Sequence, residues 1–480
     1  MRVKQQTSRI VAGALALVFV GQAALANWGY TPGKGMRWEY AEGKAFTAGM
    51  DMRLRLTHWD RSVLWPEGDG PDGPAFEYLR FRTRLMLGLD LWDGAKLNAR
   101  FVNRMHNVSS SPSNPNDNGA ATWQYPDEVI LDQLALTLTD LGVEGLSVVL
   151  GRQDFLLGNG MVMLEGTPYD QGRTIYFDGI SALYKTQYDA IKVFAFYNED
   201  EDEFVVMGDE DRLLRRGNIF TTGIDWTHTF NETVATEVYY IFANIEDDFA
   251  DLQRIEREYD ANSNGELHTV GARVFGKLNE RTGYSVEVAH QFGEYDENPS
   301  PGEDPQGSAD MEGWMVDARL TVSIPELPTK PDFMLEYTYF SGDDSETDGD
   351  YEGWDGIFAE YPIYREELLP ILNNGNWTNL HQFRLQGKCT LFSNPECGLV
   401  KNVTLTGSYA HLRADEADTG YTSGGGTGDS HFGDLFTAFL DVKLNEYVTV
   451  SLEAAAFESG AYWSTDENSK WLRFQTVISF

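Results

Sequence analysis

Residues 77–92 read EYLRFRTRLMLGLDLW, and the stretch divides into two faces. Leu79, Phe81, Thr83, Leu85, Leu87, Leu89 and Leu91 fall on one parity. Tyr78, Arg80, Arg82, Arg84, Met86, Gly88 and Asp90 fall on the other. A period of two held over ~14 residues predicts a β-strand far longer than the ~5–6 residues common in globular sheets. A helix would smear the three arginines around its circumference, at about 100° per residue. A long strand with one apolar and one charged face suits a wall between lipid and water.

The two ends of the chain agree with such a wall. The sequence closes on WLRFQTVISF (471–480), in which Leu472, Phe474, Thr476, Ile478 and Phe480 share a parity. Soluble domains usually let a terminus fray in polar residues. A chain of net charge -38 that ends on an apolar-faced strand needs that strand paired to its last residue. At the other end, Arg2, Lys4 and Arg9 precede the apolar run VAGALALVFV and the small-residue site Ala24–Ala26. Residues 1–26 are therefore expected to be a secretory signal peptide, and 27–480 a single barrel domain. No other stretch supplies the ~18 apolar residues of a membrane helix, so any span is made of strands.

Eighteen segments with this pattern can be placed, from 46–59 to 471–480. Short turns such as WDGA, NET, NER and NEY alternate with long connections such as 107–126, 200–217, 245–265 and 341–378. Strict alternation predicts an all-β fold: a closed antiparallel transmembrane barrel of 18 strands, with short periplasmic turns and long extracellular loops. Closure also accounts for the terminus, because an unpaired edge strand in lipid leaves its amides without partners. The longer segment expected at the short-turn rim, 389–400, holds Cys389 and Cys397. In an exported chain these are expected to form a disulfide.

Charge is distributed unevenly. Acidic residues crowd the long connections, as in NEDEDEF (198–204) and SGDDSETDGD (341–350). None of these runs has the spacing of an EF-hand, and no metal site or cofactor is assigned. The first three strands are basic instead. Arg53 and Arg55, then Arg80, Arg82 and Arg84, then Arg100 and Arg104 share the polar parity. Adjacent strands lie about 4.8 Å apart, so these side chains form one wall. An arginine facing lipid costs roughly 2–4 kcal/mol at the midplane, so the wall faces the lumen. There it either lines a path for anions or packs against acids inside a plugged barrel.

The stretch VVLGRQDFLLGNGMVMLEGTPYDQGRTIYFDGISALY (148–184) resembles the alginate-export family of outer-membrane barrels. The residues that carry the likeness are Gly151, Arg152, Gln153, Arg173, Thr174, Asp178 and Gly179. A second block, YFSGDDSETDGDYEGWDGIFAEYP (339–362), resembles the family's Ser-Gly-Asp-rich loop. The resemblance implies an 18-stranded barrel and places Arg84 closest to a selectivity residue. The chain departs from the exporter at Asp154, where a basic residue is usual, and at Asp132 and Gln133, where an Arg-Glu pair is usual.

These features predict a passive outer-membrane channel for anionic solutes, acidic oligo- or polysaccharides among them, and no enzyme. The expected partners are outer-membrane lipid and lipopolysaccharide, an anionic saccharide or small anionic solute, and the barrel-assembly machinery, with no nucleic acid. The other readings are a general or uptake porin, a plugged structural or receptor barrel, and, last, an outer-membrane hydrolase. Against the hydrolase, His290 and His411 fall on strands with no catalytic motif around them.

Overall fold

The computed structural model describes residues 35–60, 76–108, 122–165, 177–199, 202, 204–208, 218–246, 265–297, 307–344, 350–356, 377–396, 399–417, 426–463 and 468–480. The expected signal peptide, 1–26, lies outside the described residues.

Eighteen strands form the wall: β1 (Lys44–Asp60), β2 (Phe76–Trp92), β3 (Ala95–Val108), β4 (Val129–Leu138), β5 (Leu146–Gln153), β6 (Phe177–Lys185), β7 (Asp189–Asn198), β8 (Asn218–Thr229), β9 (Ala235–Glu246), β10 (Gly265–Lys277), β11 (Thr282–Glu297), β12 (Gly307–Ser323), β13 (Asp332–Phe340), β14 (Leu380–Ser393), β15 (Asn402–Arg413), β16 (His431–Lys443), β17 (Val448–Ser459) and β18 (Ser469–Ser479). Each pairs antiparallel with its neighbours in sequence. β18 closes the ring on β1, with Ser479 opposite Asp51 and Lys470 opposite Asp60. The Phe480 amide donates to the Met50 carbonyl at 2.8 Å, so pairing runs to the last residue.

All eighteen expected segments are strands, and the differences lie at their ends. β11 runs on to Glu297, and β12 begins at Gly307. Their outer stretches, such as GEYDE (293–297), lack the apolar parity although the ladder continues. Strands that project beyond lipid keep their backbone pairing and lose the need for an apolar face. β14 likewise extends to Ser393, so the strand takes up the first part of the expected 389–400 segment, Cys389 included. A strand at Met36–Ala41, not expected from the sequence, folds back on the start of β1 with Met36 opposite Ala48. Its residues are exposed on both faces, so no alternation marks it.

The pleat sorts side chains as the parity predicts. Leu54, Leu56 and Leu85 are exposed on the outer face, where lipid would cover them, while Asp51, Arg53, Arg55 and Thr57 are buried on the inner face. The apolar core inside the wall gathers Leu157, Met161, Met163, Phe177, Phe196, Met315, Phe340, Trp354 and Trp377.

Candidate functional site: the charged lumen and its hairpin

The register of β1–β3 sets the inward arginines in rows. Arg53 lies opposite Arg82, which lies opposite Arg104; one step along, Arg55 lies opposite Arg80, which lies opposite His106. Like charges directly opposite one another on a sheet repel, so this arrangement costs stability unless anions answer it. Asp51 answers part of it: its carboxylate accepts from Arg82 at 3.1 Å and from Arg84 at 2.7 Å, and it is fully buried. Arg55 donates to Gln475 of β18 at 2.6 Å, and Arg473 pairs with Glu453 at 3.2 Å. Arg53, Arg55, Arg82, Arg84 and Arg100 are buried, whereas Arg80 and Arg104 are half-buried.

Arg100 meets two acids, at positions 132 and 154. Its guanidinium donates to Asp132 at 2.8 Å and takes both oxygens of Asp154 at 2.8 Å. Together the two acids tie β3 and β4 to the start of the β5–β6 connection.

That connection turns into the barrel. After Gln153 the chain forms a hairpin in which Phe155 and Leu156 pair with Glu165 and Leu164. Phe155 packs edge-on against Phe177 and Phe196, with centroids 6.0 Å and 5.1 Å away. Leu157, Met161 and Met163 are almost wholly buried. The tip reaches β10–β12: Asn159 donates to Ser285 and Asp317, each at 3.0 Å, and accepts from Arg273 at 2.8 Å. Gly158 has φ +54, and a Cβ there would stand 2.8 Å from the Glu287 carboxylate. Only glycine combines that backbone with so close an approach at no steric cost. The apolar run LLGNGMVML gives no strand period, and its two glycines are the signal in the sequence that it bends.

The wall beneath the tip is balanced internally. Lys192 pairs with Asp225 at 3.0 Å, Arg319 with Glu336 at 2.8 Å, and Arg384 with Glu336 at 2.7 Å. Arg273 donates to Glu237 at 2.6 Å, and the Tyr239 hydroxyl donates to Glu287 at 2.9 Å. Sequence reasoning missed this network because every partner sits on another strand.

The Gly-Arg-Gln motif is a clamp. Leu150 and Ile180 are exposed and opposite each other, and Arg152 and Asp178, two residues along, share their outer face. Arg152 takes both oxygens of Asp178 at 2.9 and 2.7 Å, donates to Asp202 at 2.9 Å, and lies 4.3 Å from the Phe204 ring centroid. Gly151 lies opposite Gly179, and a Cβ on either would meet a neighbouring carbonyl oxygen at 2.3 or 2.2 Å. Gln153 points inward and accepts from Ser181 at 2.5 Å. The motif thus fixes the end of β5 from which the hairpin departs. Arg173 and Thr174 lie outside the described residues, as does Cys397. Cys389 is half-buried on β14.

A closed 18-strand barrel with an apolar outer face, a charged lumen and an inward hairpin defines an outer-membrane porin-type channel. Solved structures of this architecture include Pseudomonas aeruginosa OccK7 (OpdD), at a TM-score of 0.53 and 12% identity, covering 91% of this chain and 98% of that one. P. aeruginosa OpdQ matches at 0.52 and 10%, covering 92% and 99%. P. aeruginosa OpdK with vanillate matches at 0.51 and 13%, covering 90% and 98%. At such identities the likeness concerns the fold alone. Among curated proteins none matches the chain in sequence. The alginate-export family model matches residues 105–473, and the chain belongs to that family. It is a channel protein of the bacterial outer membrane and not an enzyme.

Proposed function

We propose that this channel passes anionic solutes, acidic oligo- or polysaccharides among them, by passive diffusion along the basic wall. The observation that carries the reading is the pair of rows Arg53–Arg82–Arg104 and Arg55–Arg80–His106, in which basic side chains stand directly opposite one another. This register gathers fixed positive charge on one inner face of the barrel. Fixed positive charge inside a low-dielectric tube raises the local concentration of anions. The hairpin tip bears on β10–β12, half the ring away from β1–β3, which supports a path along the basic strands. Arg80 and Arg104 are the members of the wall that keep partial exposure, and they act on solute directly. Arg82 and Arg84 hold the wall's geometry through Asp51.

Liposome swelling with size-matched sugars tests this. Uronate disaccharides should enter faster than neutral disaccharides, and amino-sugar disaccharides slower. Equal rates would favour a general porin, and no swelling at all would favour a plugged barrel.

A further inference from the structure

A group of side chains on the outer face has no part in the channel. Among the described residues, His411, His431 and Asp434 bring three potential metal-ligand atoms within 4.8 Å of one another. His411 lies near the end of β15 and His431 begins β16, so the cluster sits at the extracellular rim. Directly below it, Tyr409 faces Phe436 with centroids 5.1 Å apart, both rings exposed outward. Aromatic girdles mark the edge of the hydrocarbon layer, which places the cluster at head-group level.

The local fold is arranged to make the group. Residues three apart on a strand point to opposite faces, so a regular β16 would separate His431 from Asp434. Here Leu412 is opposite Gly433 and Arg413 is opposite His431, so Phe432 is the extra residue of a β-bulge. Gly433 has φ +148, and a Cβ there would meet the Phe457 ring at 2.4 Å. Phe432 is held inward by Tyr462 and Trp463, whose ring centroids lie 4.9 and 4.7 Å away. The bulge thus re-aims His431 onto the face of Asp434 and His411, as bulges beside functional sites do.

The contacts within the cluster also point to a ligand. His411 Nδ1 is 2.9 Å from Asp434 Oδ1. His431 Nε2 is 3.3 Å from Asp434 Oδ2 yet makes no hydrogen bond, although the atom is closed to solvent. The two imidazoles stack with centroids 5.1 Å apart and planes 24° apart. Tyr409 donates its hydroxyl to Asp434 Oδ1 at 2.7 Å, a hydrogen bond of the kind that orients a ligating carboxylate. The neighbouring cation, Arg413, turns its guanidinium to Ser430 Oγ at 2.7 Å.

We propose that His411, His431 and Asp434 form a transition-metal site of the zinc type on the outer rim of the barrel. Two imidazoles and one carboxylate match zinc's preference for mixed nitrogen and oxygen ligands. Calcium and magnesium prefer all-oxygen sets, so the same three residues discriminate against them. Three protein ligands leave a fourth position open to solvent. Bound metal adds a side-chain cross-link between β15 and β16 to the ladder that already pairs Arg413 with His431.

The test uses the full untagged mature chain in detergent, stripped with a chelator and titrated with Zn2+ against a chromophoric competitor. The expected result is one zinc per chain, undisturbed by millimolar Ca2+ or Mg2+. Co2+ in place of zinc should give the visible d–d bands of a low-symmetry nitrogen-oxygen site. His431→Ala and His411→Ala should each abolish that binding, and Tyr409→Phe should weaken it on the order of tenfold. All three variants should keep wild-type heat-modifiable migration, since none touches the lumen. Absence of stoichiometric binding by wild type overturns the proposal. So does unchanged binding in the His411→Ala/His431→Ala double variant, which would move the zinc to the acidic loops.

Discussion

Replacing Arg82 and Arg84 together by Gln should damage the barrel, and adding Asp51→Asn should repair it. Asp51 is fully buried and takes a charge-assisted hydrogen bond from each arginine, at 3.1 and 2.7 Å. Such bonds contribute about 1.5–3 kcal/mol each. Stripping a buried pair of one partner costs about 3–5 kcal/mol, most of it from the charge left behind. The double variant should therefore lose about 3–5 kcal/mol, because a single carboxylate loses two donors. The triple variant should return to within about 1–2 kcal/mol of wild type, since the carboxylate stranded in the double variant is gone. Urea unfolding of the reconstituted barrel, followed by tryptophan fluorescence and by gel migration without heating, reads both quantities. Equal stability of the double and triple variants would refute the reasoning, since Asp51 would then not depend on its two arginines. Triple-variant protein that folds would also show how far the inner pair affects selectivity apart from Arg80 and Arg104.

Three further expectations follow from other contacts. Deleting Phe480 removes the bond to the Met50 carbonyl and the ring stacked on Tyr447 at 6.2 Å, and should lower the amount of heat-modifiable barrel in the outer membrane; normal amounts would reject the role given to the terminus. Asn159→Ala frees the hairpin tip from Ser285, Asp317 and Arg273, and should raise single-channel conductance and its noise; unchanged current would mean the Asn159 side chain does not hold the hairpin in place. Cys389 and Cys397 should be found joined by mass spectrometry of unreduced protein, with the bond contributing about 2–3 kcal/mol, and free thiols on membrane-extracted material would reject it.

The wall strands were legible in the sequence because lipid imposes the alternation. Each span must be apolar on every second residue, and EYLRFRTRLMLGLDLW or WLRFQTVISF shows that directly. Where lipid stops, the signal stops too. The outer end of β11 and the strand at Met36–Ala41 continue their ladders with no apolar parity. The inward facing of the seven wall arginines was readable from one strand at a time. Their acids were not: Arg100 finds Asp132 and Asp154, which are 32 and 54 residues away. Nor was the contact of Arg273 with Asn159, across 114 residues. The hairpin at 154–165 was marked only by Gly158 and Gly160, since a segment packed inside a barrel needs no period. The group His411, His431 and Asp434 was hidden by the bulge at Phe432, which breaks the parity on which strand reading depends.

The central claim is that the basic wall governs selectivity in a protein of net charge -38. Most of that negative charge is carried by the connections, and salt screens it beyond about 8 Å under physiological conditions. The reversal potential of the wild-type channel in a planar bilayer under a potassium chloride gradient measures the outcome directly. Anion preference is predicted, reduced or lost in Arg80→Gln/Arg104→Gln with folding intact. A wild-type channel that prefers potassium would contradict the account.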